Sequence, residues 1–163
     1  EYSFVFGLEE SYGYLKGTYA RDKDAVVAAM LVCEMAADYK AMGKTLYDGL
    51  TEIYEKYGYI QSGLKTLTLK GSDGAEKIKS IMKHIRQYTP QTIAGCEVNE
   101  VKDYLKGIDK MPKSDVLKFF LDKGWFAVRP SGTEPKIKFY YEIEGDKSID
   151  LKGIAHDFKF KFD

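Results

Sequence analysis

The chain has 163 residues and formal net charge +0 at pH 7, with 44% hydrophobic and 31% charged residues, a composition typical of a globular protein of one domain or two small ones. It contains no run of about 18 apolar residues that would predict a membrane span, and its first residues lack the basic and then apolar pattern of a leader, so no signal peptide is expected. Residues 1–60 contain 6 Lys and Arg against 10 Asp and Glu, whereas residues 61–163 contain 19 against 15. The second part therefore suits an anionic ligand better. A charge bias this small does not indicate nucleic-acid binding.

The first predicted element is the end of a buried strand at residues 3–6, which leads directly into a loop at residues 7–13. The loop contains two adjacent carboxylates and a hydroxyl, at Glu9, Glu10 and Ser11. Carboxylate oxygens accept hydrogen bonds from sugar hydroxyls, and a serine can both donate and accept. The pattern fits sugar binding, and it equally fits a solvated acidic turn. A glycosidase pair is disfavoured, because its carboxyl groups stand about 5 to 10 Å apart across the scissile bond.

Two helices are predicted next. Asp22 or Asp24 can cap the first, which Gly43 ends, and Thr45 can cap the second, which runs to about Tyr57. Apolar residues recur at spacings of three and four in both, which predicts one packed stripe on each helix. The stripes comprise Val26, Val27, Met30, Leu31 and Met35 on the first helix and Leu46, Leu50, Ile53, Tyr54 and Tyr57 on the second.

The two cysteines occur in unrelated contexts. Cys33 lies within the apolar pattern of the first helix, and Cys96 lies at a predicted strand start. Buried or otherwise inert thiols in a reducing cytoplasm are the favoured interpretation, ahead of a disulfide or a metal-binding pair.

A second module follows a predicted linker at residues 59–63. Its predicted elements are a strand at 64–70, a turn at 71–74, a helix at 73–88, one or two strands at 93–105, strands at 116–121, 125–129 and 137–144, and a last helix that starts at 146–148. Apolar spacing points Ile78, Ile81, Met82 and Ile85 of the first of these helices inward and leaves Lys77, Lys79, Lys83 and Arg86 on a solvated face. The order strand, helix, strands, helix predicts an α+β layer with an antiparallel sheet.

The turn before the last strand combines a guanidinium, two hydroxyls and a glycine, in the sequence RPSGTEPK at residues 129–136. Glycine can take φ > 0 and approach a ligand closely, successive backbone N–H groups in a turn can bind an anion, and arginine matches phosphate oxygens with a fork of donors. A phosphate clamp is one interpretation. The other is an ordinary turn in which serine and threonine bond their own backbone.

These two segments, read as FGLEESYGY at 6–14 and RPSGTEPKIKFYYE at 129–142, resemble the sugar-binding and phosphate-binding loops of the α-D-phosphohexomutases, the phosphoglucomutase/phosphomannomutase family. The resemblance implies a truncated third α/β domain at residues 1–59, mostly helical as present, and a C-terminal domain at 60–163 with an α+β fold like that of the TATA-binding protein. That topology alone does not argue for DNA binding. It also implies that the chain is a C-terminal fragment of a longer cytoplasmic protein.

The resemblance implies roles for individual residues. Glu9 and Ser11 would hold sugar hydroxyls, and Arg21 would also bind the substrate. Lys23, in the Arg-Asp-Lys-Asp segment, would act as a general acid or base or stabilise charge. The non-transferring phosphate would be bound by Arg129, Ser131, Gly132, Thr133 and Lys138. A lysine at 138, where relatives often have arginine, gives up bidentate geometry.

The parent enzyme would interconvert hexose 1-phosphate and 6-phosphate through a phosphoserine, with Mg²⁺ as cofactor and a hexose 1,6-bisphosphate as intermediate. The serine and the aspartate loop for Mg²⁺ belong to earlier domains, so no metal site is expected here and the fragment should be inactive alone. Glucose, mannose and pentose phosphates remain open as substrates. The alternatives are a phosphopentomutase-type relative or a stand-alone sugar-phosphate-binding module, and neither nucleic acid nor membrane is an expected partner.

Overall fold

A computed structural model describes residues 2–9, 12–71, 73–108, 110–145, 149 and 151–159. The chain divides into two compact units, residues 1–57 and 58–163. Within the described ranges no helix combines the length and apolar character needed to cross a bilayer.

Unit 1 consists of a hairpin and two helices. β1 (Phe6–Glu9) and β2 (Gly13–Lys16) pair antiparallel, and α1 (Ala25–Ala41) and α2 (Leu46–Tyr57) follow. The Asp24 carboxylate caps α1 by accepting from the backbone N–H groups of Val26 and Val27, as predicted. The end of α1 and the start of α2 also match their predicted signals.

The end of α1 and the start of α2 are fixed by local hydrogen bonds. Gly43, at φ 72, donates to Lys40 O, and Lys44 donates to Tyr39 O, the Schellman pattern that favours glycine. Thr45 and Asp48 then form a capping box, in which Thr45 N donates to the Asp48 carboxylate at 2.7 Å and Asp48 N donates to Thr45 Oγ1 at 3.2 Å.

The predicted burial in unit 1 is wrong. No residue of α1 is buried, Phe6 before the loop is 45% exposed, and Ile53 on the α2 stripe is 52% exposed. The physical reason is that the two-stranded ribbon and two helices offer too little surface to cover their own apolar faces. Cys33 is exposed for the same reason, whereas Cys96 in unit 2 is buried as predicted.

Unit 2 is an antiparallel sheet with helices, which confirms the predicted α+β fold. Its strands have the order β3-β8-β7-β6-β5-β4, and all pairs are antiparallel. The strands are β3 (Ile60–Thr68), β4 (Thr92–Ile93), β5 (Cys96–Asp103), β6 (Leu117–Leu121), β7 (Gly124–Pro130) and β8 (Lys136–Glu144), and the helices are α3 (Gly74–Gln87) and α4 (Leu151–Asp157), with a 3₁₀ turn at Tyr104–Lys106.

The core of unit 2 lies between one face of the sheet and the helices. Ile78, Met82 and Ile85 of α3 are buried as predicted, and Ile81 is half-buried. Phe158 is completely buried after α4, with its ring 5.2 Å from that of Phe119. The predicted start of this last helix at 146–148 lies outside the described residues.

The predicted linker at 59–63 is wrong, because β3 already begins at Ile60, which pairs with Glu144. The sequence does not show this start, because Gln61, Ser62 and Gly63 lack the apolar alternation of a strand. Their hydrogen bonding to β8 makes them part of β3. Gly63 stands opposite Tyr141, and a Cβ on this glycine would lie 2.1 Å from the Tyr141 Cζ. The bare glycine is therefore required by the tyrosine ring that lies over it.

The predicted solvated face of α3 is wrong at Arg86. Its guanidinium is only 20% exposed, donates from Nε to Asp103 at 3.0 Å and also pairs with Asp115. Asp73, just before α3, makes no capping hydrogen bond with its side chain and pairs with Lys77 at 3.0 Å instead.

Candidate functional site

A cavity of about 630 Å³ lies within unit 2 at the turn between β7 and β8. Three segments line it: the turn itself, the first half of α3 with Gly71 ahead of the helix, and the segment that leads into β6. The lining residues are Gly71, Ala75, Ile78, Lys79, Ser114, Asp115, Arg129, Pro130, Ser131, Gly132, Thr133, Glu134 and Pro135. The residues predicted at 129 and 131–133 are thus brought together on one cavity.

Close packing fixes the turn against α3. Leu69 N donates to Pro135 O at 2.9 Å. A Cβ at Gly74, the first residue of α3, would lie 2.2 Å from Leu69 O and 3.2 Å from the Pro135 Cβ. Only a glycine lets the helix begin this close to the turn, so the sequence of α3 helps to shape the cavity.

The turn is held by its own hydrogen bonds. Ser131 N donates to Lys136 O at 2.8 Å, and Ser131 Oγ accepts from the N–H groups of Thr133 and Glu134 at 3.5 and 3.3 Å. This is the backbone bonding expected of an ordinary turn. A hydroxyl that accepts still has its own proton to donate, so Ser131 remains able to donate to a ligand oxygen.

Gly132 differs from the expectation drawn from its sequence. Its φ lies outside the positive range, and a Cβ built on it would meet nothing within 4 Å. The turn therefore does not need glycine for its backbone conformation. The missing side chain instead leaves free space in the cavity, where a ligand can approach the backbone.

Arg129 is exposed on the cavity. Lys138 is its direct partner in the β7–β8 register, and residues opposite each other on neighbouring strands project to the same face. Lys138 does not line the cavity itself. The structure thus places a second positive charge beside Arg129 and not in front of the turn.

In unit 1, the hairpin brings together two of the predicted residues. Lys23 Nζ lies 3.4 Å from Glu9 Oε1 and 3.0 Å from the Asp22 carboxylate. A Cβ at Gly13 would lie 2.1 Å from the Lys23 Cδ, so the lysine stem runs across the glycine of β2. The hydrogen bond to Asp22, and to a smaller extent the one to Glu9, raises the pKa of Lys23, so its ammonium form is favoured.

The other predicted residues of unit 1 are less informative. Arg21 is exposed in the segment before α1. Ser11 and the neighbouring Glu10 lie outside the described residues. Across the described residues, no group of three or more His, Cys, Asp or Glu is arranged to hold a metal ion.

Sequence reasoning missed the part of the cavity that α3 supplies. Ala75, Ile78 and Lys79 follow the spacing of one helical face, and this face borders the cavity. That spacing was visible in the sequence, and it assigned Ile78 to the core correctly. It could not show that Lys79 borders a cavity and not open solvent, because the opposite wall comes from a turn more than 50 residues later.

Comparisons with known proteins find relatives that match both units of the chain. The family model of the phosphoglucomutase/phosphomannomutase C-terminal domain matches residues 73–158, and that of the alpha/beta/alpha domain III matches residues 1–57. The phosphoglucomutase of Staphylococcus aureus strain MRSA252 is 42% identical over 153 residues, which cover 87% of this chain and 28% of that protein. The phosphoglucomutase of strain USA300 is 41% identical with the same coverage.

The fold is also found in a solved structure. The open form of the exocytosis-sensitive phosphoprotein pp63/parafusin, a phosphoglucomutase from Paramecium, matches with a TM-score of 0.59 and 23% identity, over 92% of this chain and 27% of that one. The chain thus spans 28% of the length of the curated relatives named above. Since the C-terminal-domain model alone covers more than half of the chain, the chain belongs to the phosphoglucomutase/phosphomannomutase family.

Proposed function

We propose that this chain is the C-terminal part of a phosphohexomutase, which interconverts hexose 1-phosphate and hexose 6-phosphate through a phosphoserine and a hexose 1,6-bisphosphate. Its share of the reaction is substrate binding. The single observation that carries the proposal is the cavity on which Arg129, Ser131, Gly132 and Thr133 meet.

The chemistry of the cavity suits a phosphate group. Arg129 offers a planar set of donors for phosphate oxygens, and the Ser131 and Thr133 hydroxyls can each donate one hydrogen bond. Gly132 leaves room for the phosphate to approach the backbone. During turnover this cavity would hold whichever phosphate of the substrate is not being transferred.

Unit 1 would contribute recognition of the sugar and charge near the reacting phosphate. The Glu9 carboxylate would accept hydrogen bonds from ring hydroxyls, and the Ser11 hydroxyl could both accept from them and donate to them. Lys23 would stabilise phosphoryl charge or donate a proton, and its raised pKa favours these roles over that of a general base. Arg21 would add a positive charge close to it in the chain.

The described residues do not fit a magnesium ion, because they contain no suitable group of carboxylates or histidines. We therefore assign neither Mg²⁺ binding nor a step through the ion to them. The phosphoserine would likewise come from another part of the longer protein, and we expect the 163-residue chain to bind substrate without converting it.

A titration of the ¹⁵N-labelled chain with glucose 6-phosphate at constant ionic strength tests the proposal. We expect saturating shifts at the amides of Ser131, Gly132 and Thr133, with a dissociation constant on the order of 1 mM, equivalent to about −4 kcal/mol. Glucose should leave these amides unmoved. Arg129→Gln should weaken binding about tenfold, because charge-assisted hydrogen bonds are lost. Chemical-shift changes that rise linearly with ligand concentration, and equally in the unaltered chain and Arg129→Gln, would contradict the phosphate site.

The same titration separates the second candidate, a stand-alone sugar-phosphate-binding module. Binding in the micromolar range would favour it, because the chain would then hold a complete site. Millimolar binding fits the fragment of a mutase. In a longer protein that contains this chain, Arg129→Ala should raise KM for the hexose phosphate and lower kcat, and unchanged kinetics would count against the phosphate site.

A further inference from the structure

Two acidic side chains line the candidate phosphate cavity, and each is paired with a cation from outside the lining. Asp115 pairs with Arg86, and Glu134 pairs with Lys136 at 2.8 Å. Neither Arg86 nor Lys136 lines the cavity. The negative charges that would repel a phosphate are thus compensated locally.

Arg86 shares its charge between two carboxylates. Its side chain is 20% exposed and lies between two carboxylates, Asp103 and Asp115. A guanidinium held in this way fixes the position of Asp115 at the edge of the cavity. It also means that Arg86 itself is not available to an entering anion.

The two basic side chains that do line the cavity are Lys79 and Arg129. In the part of the chain that the structure describes, neither forms an ion pair. Lys79 is exposed and one turn beyond Ala75 on the same face of α3, so it borders the cavity from the helix. Because both acids that line the cavity are themselves paired, Lys79 and Arg129 contribute its unpaired charges.

We propose that Lys79 is a further phosphate-binding residue, which borders the same cavity as Arg129 and supplies the second positive charge for a phosphate monoester dianion. This inference rests on the proposed function. A phosphate monoester carries about −1.5 to −2 charges at pH 7, so two cations match it better than one. Lys79 acts as a point charge without directional donors, whereas Arg129 supplies the geometry.

The test is the glucose 6-phosphate titration of the 163-residue chain carrying Lys79→Gln, with Lys83→Gln as the matched control. Lys83 is also exposed, lies one turn further along α3 and is outside the cavity lining, so both variants lose the same charge from the same helix. We expect Lys79→Gln to raise the dissociation constant about threefold to fivefold, the size of a favourable exposed ion pair. Lys83→Gln should bind as the unaltered chain does, and Lys79→Arg should restore most of the affinity.

Arg129→Gln, measured alongside, separates the two levels of the proposal. If Arg129→Gln weakens binding while Lys79→Gln equals Lys83→Gln, the role of Lys79 is overturned and the phosphate site stands. If both Arg129→Gln and Lys79→Gln bind like the unaltered chain, the phosphate site and the role of Lys79 both fall. Since Lys79 is exposed, none of these variants removes a core contact.

Discussion

Arg129 and Lys138 stand directly opposite each other on β7 and β8, so two positive side chains share one face of the sheet. Among the described residues, neither has an ion-pair partner. Like charges in this position destabilise a pair of strands. Under the proposed function, an anionic ligand bound at Arg129 would offset part of this repulsion.

Lys138→Gln should therefore stabilise unit 2. We expect a gain of about 0.2–0.5 kcal/mol in the free energy of unfolding, because the repulsion from Arg129 is removed. Urea denaturation at low salt measures it. Lys136→Gln is the control on the same strand: it breaks the pair with Glu134 and should not stabilise. A loss of stability in Lys138→Gln would show that the pair is not repulsive.

Gly132→Ala should leave folding intact and impair binding. A Cβ at 132 meets no atom within 4 Å, so stability should change by less than about 0.5 kcal/mol, but the methyl group would occupy the space of the phosphate. Gly124→Ala is the contrasting variant, because its φ is +139 and a Cβ would lie 1.9 Å from Glu142 O. It should cost more than about 2 kcal/mol.

Thermal or urea unfolding combined with the glucose 6-phosphate titration checks both glycine variants. If Gly132→Ala binds the sugar phosphate as tightly as the unaltered chain, the phosphate does not approach the backbone at this position. If it unfolds as readily as Gly124→Ala, the open space beside Gly132 is not a property of the folded protein.

Arg86→Met should destabilise unit 2 and reduce its sensitivity to acid. Burial, the largest single cause, opposes ionisation of Asp103, but the hydrogen bonds from Arg86 and from the backbone of Leu105, together with the charges of Arg86 and Lys106, outweigh it and lower the pKa of the carboxyl group. A lowered folded-state pKa contributes stability above the unfolded pKa, and this stability is lost as the pH falls below about 4. We expect a loss of about 1–2 kcal/mol at pH 7, after allowance for solvent screening.

Unfolding free energies of Arg86→Met measured between pH 7 and pH 3 test this sign. The difference between the variant and the unaltered chain should shrink as Asp103 is protonated. Lys83→Met, an exposed change on the same helix, should show no such convergence. A constant difference across this pH range would mean that the ion pair with Asp103 does not contribute.

Asp22→Asn should lower the pKa of Lys23 more than Glu9→Gln does, because the bond to Asp22 is the larger cause of its raised pKa and the contact with Glu9 the smaller. The pKa of Lys23 in each variant can be measured by a pH titration in which the ¹³C NMR signal of its Cε is monitored. The reverse order would mean that the hairpin, through Glu9, dominates the environment of this lysine.

The sequence predicts the features of this protein that depend on neighbouring residues. The caps at Asp24 and Thr45 follow from short-range hydrogen bonding, and the alternation of residues 137–143 in β8 follows from having one buried face. Contacts across the fold are not visible in this way. The Arg86–Asp115 pair joins segments almost 30 residues apart, and the periodicity of α3 gives no sign of it.

The candidate site shows the same division. The composition of the 129–133 turn indicates an anion site, since the relevant donors are consecutive in the sequence. The opposite wall at Lys79 could not be predicted, because it depends on how closely α3 starts beside the turn at Gly74. Burial in unit 1 could not be predicted either, because an apolar stripe such as that of α1 does not say which surface covers it.

Gly63 beneath the ring of Tyr141 has a consequence for how the sheet is assembled. β3 is an end strand, and sliding it by two residues along β8 would put Gln61 or Lys65 under the aromatic ring, where either side chain would collide with it. Gly63 therefore fixes the register of β3. Among the registers that keep the same side chains on the inner face, the observed one places a residue without a side chain opposite Tyr141.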